Sequence, residues 1–216
     1  MAVITILLGF AAMIVSLSVH EFSHALAAYL QGDHTAERAG RLSLNPASHV
    51  DPVGTVLIPL IGAFSGLPVF GWAKPVPYNR YNLRDQKWGP TWVALSGPGS
   101  NLVMALLSAV LLRLAISFLQ VTPDNLLALF LQFLVIVNVA LCIFNLIPIP
   151  PLDGANIWSP FLEKPQHREL YLFLHTKGYY ILFGLIILDF AGNLHILSSV
   201  FIAVTRGILL AVGVPA

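Results

Sequence analysis

Long runs without charge alternate with short polar breaks along this chain, and the apolar positions repeat at helical rather than strand spacing. Residues 1–19 carry no charge, and the apolar pattern continues past His20 and His24 to about Leu30. It predicts a first helix over Ala2 to Gln31, closed by Gly32 and Asp33. A run of this length crosses a hydrocarbon core of about 30 Å. No basic segment precedes it, so it reads as a retained helix and not as a removable signal peptide.

A polar segment from Asp33 to Asp51 follows. Val53 to Phe70 is apolar but broken by Gly54, Pro59, Gly62, Gly66 and Pro68, which predicts a re-entrant or β-hairpin segment in place of a straight span. Gly71 to Pro77 reads as extended chain, because proline biases its predecessor away from α. A second helix is expected over Thr91 to Leu119, with Gly97-Pro98-Gly99 near its start. A third runs from Asn125 to Ile147 and is stopped by Pro148, Pro150 and Pro151. A fourth begins near Arg168. Ile196 to Val212 carries Arg206 in its middle and either spans or lies in the interface.

The fold class is therefore an all-α polytopic membrane protein, with a single domain over 1–216, a core over 1–156 and C-terminal helices over about 168–213. Composition agrees: of 216 residues, 57% are hydrophobic and 10% charged, and mean hydropathy is +0.81. A soluble domain would carry about 25% charged residues. A net charge of +1 leaves no surplus to neutralise phosphates, which argues against nucleic acid as a partner. The lone Cys142 excludes an internal disulfide and a cysteine-based metal site.

Basic residues set an orientation. Arg38, Arg41, Lys74, Arg80, Arg84 and Lys87 lie between helices one and two, and Lys164, Arg168 and Lys177 between three and four. The other two connections hold none, so the basic loops are expected on the cytoplasmic side. Trp72, Trp88 and Trp92 fit an interfacial belt.

Candidate chemistry lies inside the first helix, at His20-Glu21-Phe22-Ser23-His24. Histidines at i and i+4 project from one helix face, one turn apart, and can share one zinc ion. Glu21, beside the first of them, has the place of a general base for water. A carboxylate deep in a bilayer normally marks a function and a partner. A third ligand is expected at membrane depth, where Asp153 and Asp189 are the acidic candidates. Asp153 follows a proline-rich helix break on the same side as the histidines, and is preferred.

These residues resemble the site-2 proteases, the intramembrane zinc metalloproteases of peptidase family M50. The resemblance rests on His20 to His24 and on Asn145 to Gly154. Supporting matches are Gly40 to Pro46, His49 to Gly54, Gly71 to Pro75 and Gly97 to Asn101, in the family's order over residues 16–156. One departure is Leu152-Asp153-Gly154-Ala155-Asn156, where the family often has Leu-Asp-Gly-Gly-Arg. At this length the likeness is to the minimal core form, without PDZ or CBS domain. It implies His20, His24 and Asp153 as ligands of one zinc ion, Glu21 as catalytic base, and Asn101 and Asn145 near the substrate.

The function so implied is endoproteolytic cleavage of a transmembrane segment of a membrane-tethered protein, at a prokaryotic plasma membrane, with the active site toward the cytoplasm. The segment Gly71 to Pro77 is expected to receive an unwound substrate by strand addition. The alternative is a non-proteolytic membrane protein, either a metal transporter or a substrate-holding pseudoprotease. Transport would spread ligands along a path and has no use for a carboxylate beside one of them.

Overall fold

The computed structural model describes residues 2–65 and 71–214. Its helices are α1 (Ala2–Leu30), α2 (Thr35–Arg38), α3 (Ile58–Ser65), α4 (Gly89–Leu119), α5 (Leu126–Asn145), α6 (Asp153–Ile157), α7 (Ser159–Leu162), α8 (Arg168–Ala191) and α9 (Ile196–Ala211). Among the described residues there is no strand. The helices α1, α4, α5 and α8 are long and apolar enough to cross a membrane, and the chain is a multi-pass membrane protein.

The core is the three-helix packing of α1, α4 and α5. Ala12, Ala105, Ala109, Ala115 and Ala128 are buried at its contacts, and side chains this small let helix backbones approach where no hydrophobic force drives them together. Leu107, Leu111, Leu114 and Phe118 of α4 point outward, as a lipid-facing surface requires. The 16-residue α9 packs along α5 and, to a lesser extent, α4. Its length is about 24 Å at helical rise, short of a hydrocarbon core.

α8 stands largely apart from this core. It touches the loop after α5 where Gly178 lies against Pro150; a Cβ on Gly178 would come within 2.8 Å of the Pro150 carbonyl oxygen.

The interrupted apolar segment is helical. Asp51 caps it, with Oδ1 accepting from the backbone N–H groups of Val53 and Gly54, and Pro52–Leu57 winds as a π-helix into α3. The segment is thus helical up to Ser65, and residues 66–70 lie outside the described residues. Residues 71–79 then run as an extended strap beneath the bundle. Trp72 N–H donates to Gly54 O at 3.1 Å, Lys74 N–H to His49 O at 2.9 Å, and Asn79 N–H to Asp33 Oδ2 at 2.6 Å.

Candidate metal centre

Helical spacing puts His20 and His24 on the inner face of α1, and both are buried. Space for their rings comes from α4. A Cβ on Gly97 would stand 2.4 Å from His24 Nε2 and 2.7 Å from His20 Cε1, so only glycine fits there. Asp153 reaches the pair as the first residue of α6. Gly154 next to it allows the turn to close against the end of α5, since a Cβ there would meet Ile147 O at 2.2 Å.

Three donor atoms converge. His20 Nε2 and His24 Nε2 are 3.0 Å apart, and Asp153 Oδ2 lies 3.2 Å from the first and 3.3 Å from the second. Each imidazole is held by its other nitrogen. His24 Nδ1 is 2.7 Å from Val93 O, and a carbonyl only accepts, so Nδ1 bears the proton. His20 Nδ1 is 2.6 Å from Asn101 Oδ1.

The orientation of Asn101 is fixed in turn. Its Nδ2 donates to Asn138 Oδ1 at 2.7 Å. Asn138 Nδ2 donates to Leu134 O at 2.8 Å and to Ser16 Oγ at 2.7 Å, and Ser16 Oγ–H donates to Ala12 O at 2.7 Å. The chain ends on two backbone carbonyls, which can only accept, so every amide in it has one permitted orientation. In the neutral imidazoles both Nε2 atoms are then lone pairs, facing each other and a carboxylate.

Three such atoms repel one another unless a cation lies between them. Asp153 Oδ2 is buried and accepts no hydrogen bond. Edges of 3.0–3.3 Å match the roughly 3.3 Å expected of a tetrahedral face built on Zn–N bonds of about 2.0–2.1 Å. The second nitrogen of each histidine donates to an oxygen, as metal-bound imidazoles do. The donor set fits a zinc ion.

Glu21 is buried beside the triad, its Oε2 accepting from Val76 N–H at 3.1 Å. That N–H, in the middle of the segment expected to receive a substrate strand, is therefore already engaged. Asn101 is fully buried behind His20, its amide committed to the chain just described. Asn145 bonds back to Leu141 O at 3.0 Å and takes no part in the hydrogen bonds of the triad. Asp189 lies at the far end of α8, where Oδ1 accepts from Ile196 N–H. His49 is buried in the loop after α2, with Nε2 2.6 Å from Ser43 O.

Sequence reasoning missed Asn138 and Ser16. Asn138 carried a signal, a lone amide between valines in an apolar helix, but its partners lie on two other helices and no spacing points to them.

The fold is thus that of a multi-pass helical membrane protein with a buried His/His/Asp cluster. Its relatives are zinc metalloproteases by name. The chain is 34% identical over 208 residues to "Putative zinc metalloprotease YwhC" of Bacillus subtilis, an alignment covering 88% of this chain and 90% of that protein. It is 35% identical over 168 residues to "Putative zinc metalloprotease Rip2" of Mycolicibacterium smegmatis, and 31% identical over 161 residues to the Rip2 of Mycobacterium tuberculosis. These cover 76% and 74% of this chain, and 61% and 59% of those proteins. The model of peptidase family M50 matches residues 113–188. The chain belongs to peptidase family M50, the zinc metalloprotease family that the sequence resembles. No solved structure matches it significantly.

Proposed function

We propose that this protein is an intramembrane endopeptidase that cleaves a transmembrane segment of a membrane-tethered protein, with His20, His24 and Asp153 as ligands of one zinc ion and Glu21 as general base. The observation that carries the reading is the convergence of three ligand-type donor atoms, with the buried Glu21 carboxylate on the same helix turn as the two histidines.

Bound zinc supplies Lewis acidity, making water more acidic and a peptide carbonyl more electrophilic. The chain's own residues do the rest. Asn101 and the Val93 carbonyl hold the two imidazoles in the tautomer that leaves Nε2 free. Glu21 takes the proton of the attacking water and returns it to the leaving amine. Asn145, whose side-chain oxygen accepts no hydrogen bond from the described residues, is assigned to the substrate side. A helical peptide bond is shielded by its own hydrogen bonds, so the substrate unwinds before cleavage, and the strap over residues 71–79 is the surface along which it lies.

The site lies toward the cytoplasmic side of a cell membrane in this reading, on the asymmetry of the basic loops. The bilayer and a single-span protein are its partners, and residues 1–216 form one domain.

The test is zinc stoichiometry and cleavage on the same preparations. Wild type in detergent is expected to hold one zinc per chain and to cut at least one of a panel of single-span fusion proteins. Asp153→Asn should lose zinc. Glu21→Gln should keep zinc and lose cleavage. Zinc-free wild type, or a Glu21→Gln variant that cuts as wild type does, would overturn the reading.

A further inference from the structure

Arg41 belongs to the loop after α2 and is buried. Among the described residues no carboxylate pairs with it. Its guanidinium instead bonds three backbone carbonyls, those of Ser48, Lys74 and Pro75, the last at 3.2 Å. A guanidinium buried without an acidic partner is costly, and a neutral side chain could brace a loop as well.

The position of the carbonyls gives the charge a use. Pro75 C=O and Val76 N–H are the two ends of one peptide group. Arg41 holds the oxygen and Glu21 Oε2 takes the hydrogen at 3.1 Å. In a trans peptide these ends point opposite ways, so the planar unit sits between a cation and an anion and is polarised by both. Pro75 and Pro77 lack N–H groups, which leaves Val76 as the one donor in that stretch. The strap is pinned on either side of it, by Thr55 Oγ1 on Trp72 O at 2.8 Å and by Asp33 on Asn79.

We propose that Arg41 is a positioning residue for Glu21: it fixes the Pro75–Val76 peptide so that the Val76 amide holds the carboxylate beside the His20/His24/Asp153 cluster. The catalytic consequence rests on the assignment of Glu21 as general base, whereas the relay from Arg41 to Glu21 stands on geometry alone.

Hydrogen–deuterium exchange of the full chain in detergent reads the relay without any substrate. The tripeptide 75–77 contributes one exchangeable amide, that of Val76. In wild type it should exchange slowly. In Arg41→Gln it should exchange about ten- to a hundredfold faster, the range for loss of a charge-assisted hydrogen bond, with the amides of α1, α4 and α5 unchanged. Glu21→Gln should speed the same amide. An unchanged Val76 rate in Arg41→Gln overturns the proposal. Should the glutamine variant loosen the helices as well, Arg41→Lys decides: faster exchange confined to the strap supports the relay, and a wild-type rate overturns it.

Kinetics then test the consequence, on a single-span fusion that wild type cleaves. Arg41→Gln should lower kcat about tenfold or more with zinc content unchanged, whatever change in KM follows from the strap's contact with substrate. Val76→Pro, which deletes the amide, should do the same. The double variant should be no slower than the slower single one, since both remove one relay. Multiplying losses, or a change in KM alone, would make Arg41 a loop brace and nothing more. If Glu21→Gln cleaves normally while Val76 still responds to Arg41, the peptidase reading fails and the relay stands.

Discussion

Gly97 and His24 stand so close that a single methyl group cannot come between them: a Cβ at position 97 would lie 2.4 Å from the imidazole Nε2. This glycine, in the first third of α4, thereby sets how deeply both histidine rings sit between α1 and α4.

Gly97→Ala is therefore expected to weaken zinc binding about tenfold or more, the scale seen when the support of a metal ligand is disturbed. Gly99→Ala, two residues on, is the control. A Cβ there meets nothing within 4 Å, so zinc titration of this variant should match wild type.

Asn138→Leu removes the amide that orients Asn101. His20 Nδ1 then faces an unanchored side chain, and the imidazole gains access to the tautomer that protonates Nε2. Zinc affinity should fall about 10- to 100-fold, while the helical circular dichroism signal stays at the wild-type level.

Removal of zinc by a chelator should lower the thermal midpoint in detergent, and zinc at 100 times its Kd should restore about 2.7 kcal/mol of stability by mass action. Asp153→Asn should show neither effect. A midpoint indifferent to chelation in wild type would count against a resident ion.

Asp33 gives the pH dependence, at a site beyond the end of α1. Burial alone would raise its pKa; hydrogen bonds from the Thr35 hydroxyl, the Asn82 amide and the backbone N–H groups of Asn79 and Thr35 outweigh this and hold it below the ordinary carboxylate value. A depressed folded pKa means stability that is complete above the unfolded value and lost as pH falls through the folded one. The thermal midpoint of wild type should therefore decline from about pH 4 downward. Asp33→Asn should be less stable by about 1–3 kcal/mol at pH 7, and its midpoint should decline less over the same acid range.

Much of the fold could be read from the sequence because in a membrane the elements are set by length and apolarity. The first helix, expected over Ala2 to Gln31, ends at Leu30. The second was expected from Thr91 and begins at Gly89, because Pro90 is tolerated in a first helical turn. Asn125 proves to be the cap of the third, with Oδ1 accepting from Leu127 N–H. The histidine pair was legible because its spacing lies within one helix. Asp153 was reached through depth and side, coarse measures that left a second candidate. Arg41 was counted only as one of the basic residues between the first two helices, and it is buried. Its partners are backbone carbonyls on the strap, and a carbonyl leaves no mark in a sequence.

The division of the His20/His24/Asp153 cluster between α1 and α6 has a consequence for synthesis. His20, Glu21 and His24 enter the bilayer with the first helix, long before the ribosome reaches Asp153. At chain growth of about 5–20 residues per second the wait is roughly 6 to 26 seconds, during which an acidic side chain sits in lipid without its companions. Asn138 also arrives late, so Asn101, and through it the His20 imidazole, lacks its orienting partner for most of that interval. On the ligand set proposed above, a nascent chain therefore lacks its third zinc ligand until α5 and the turn after it have emerged.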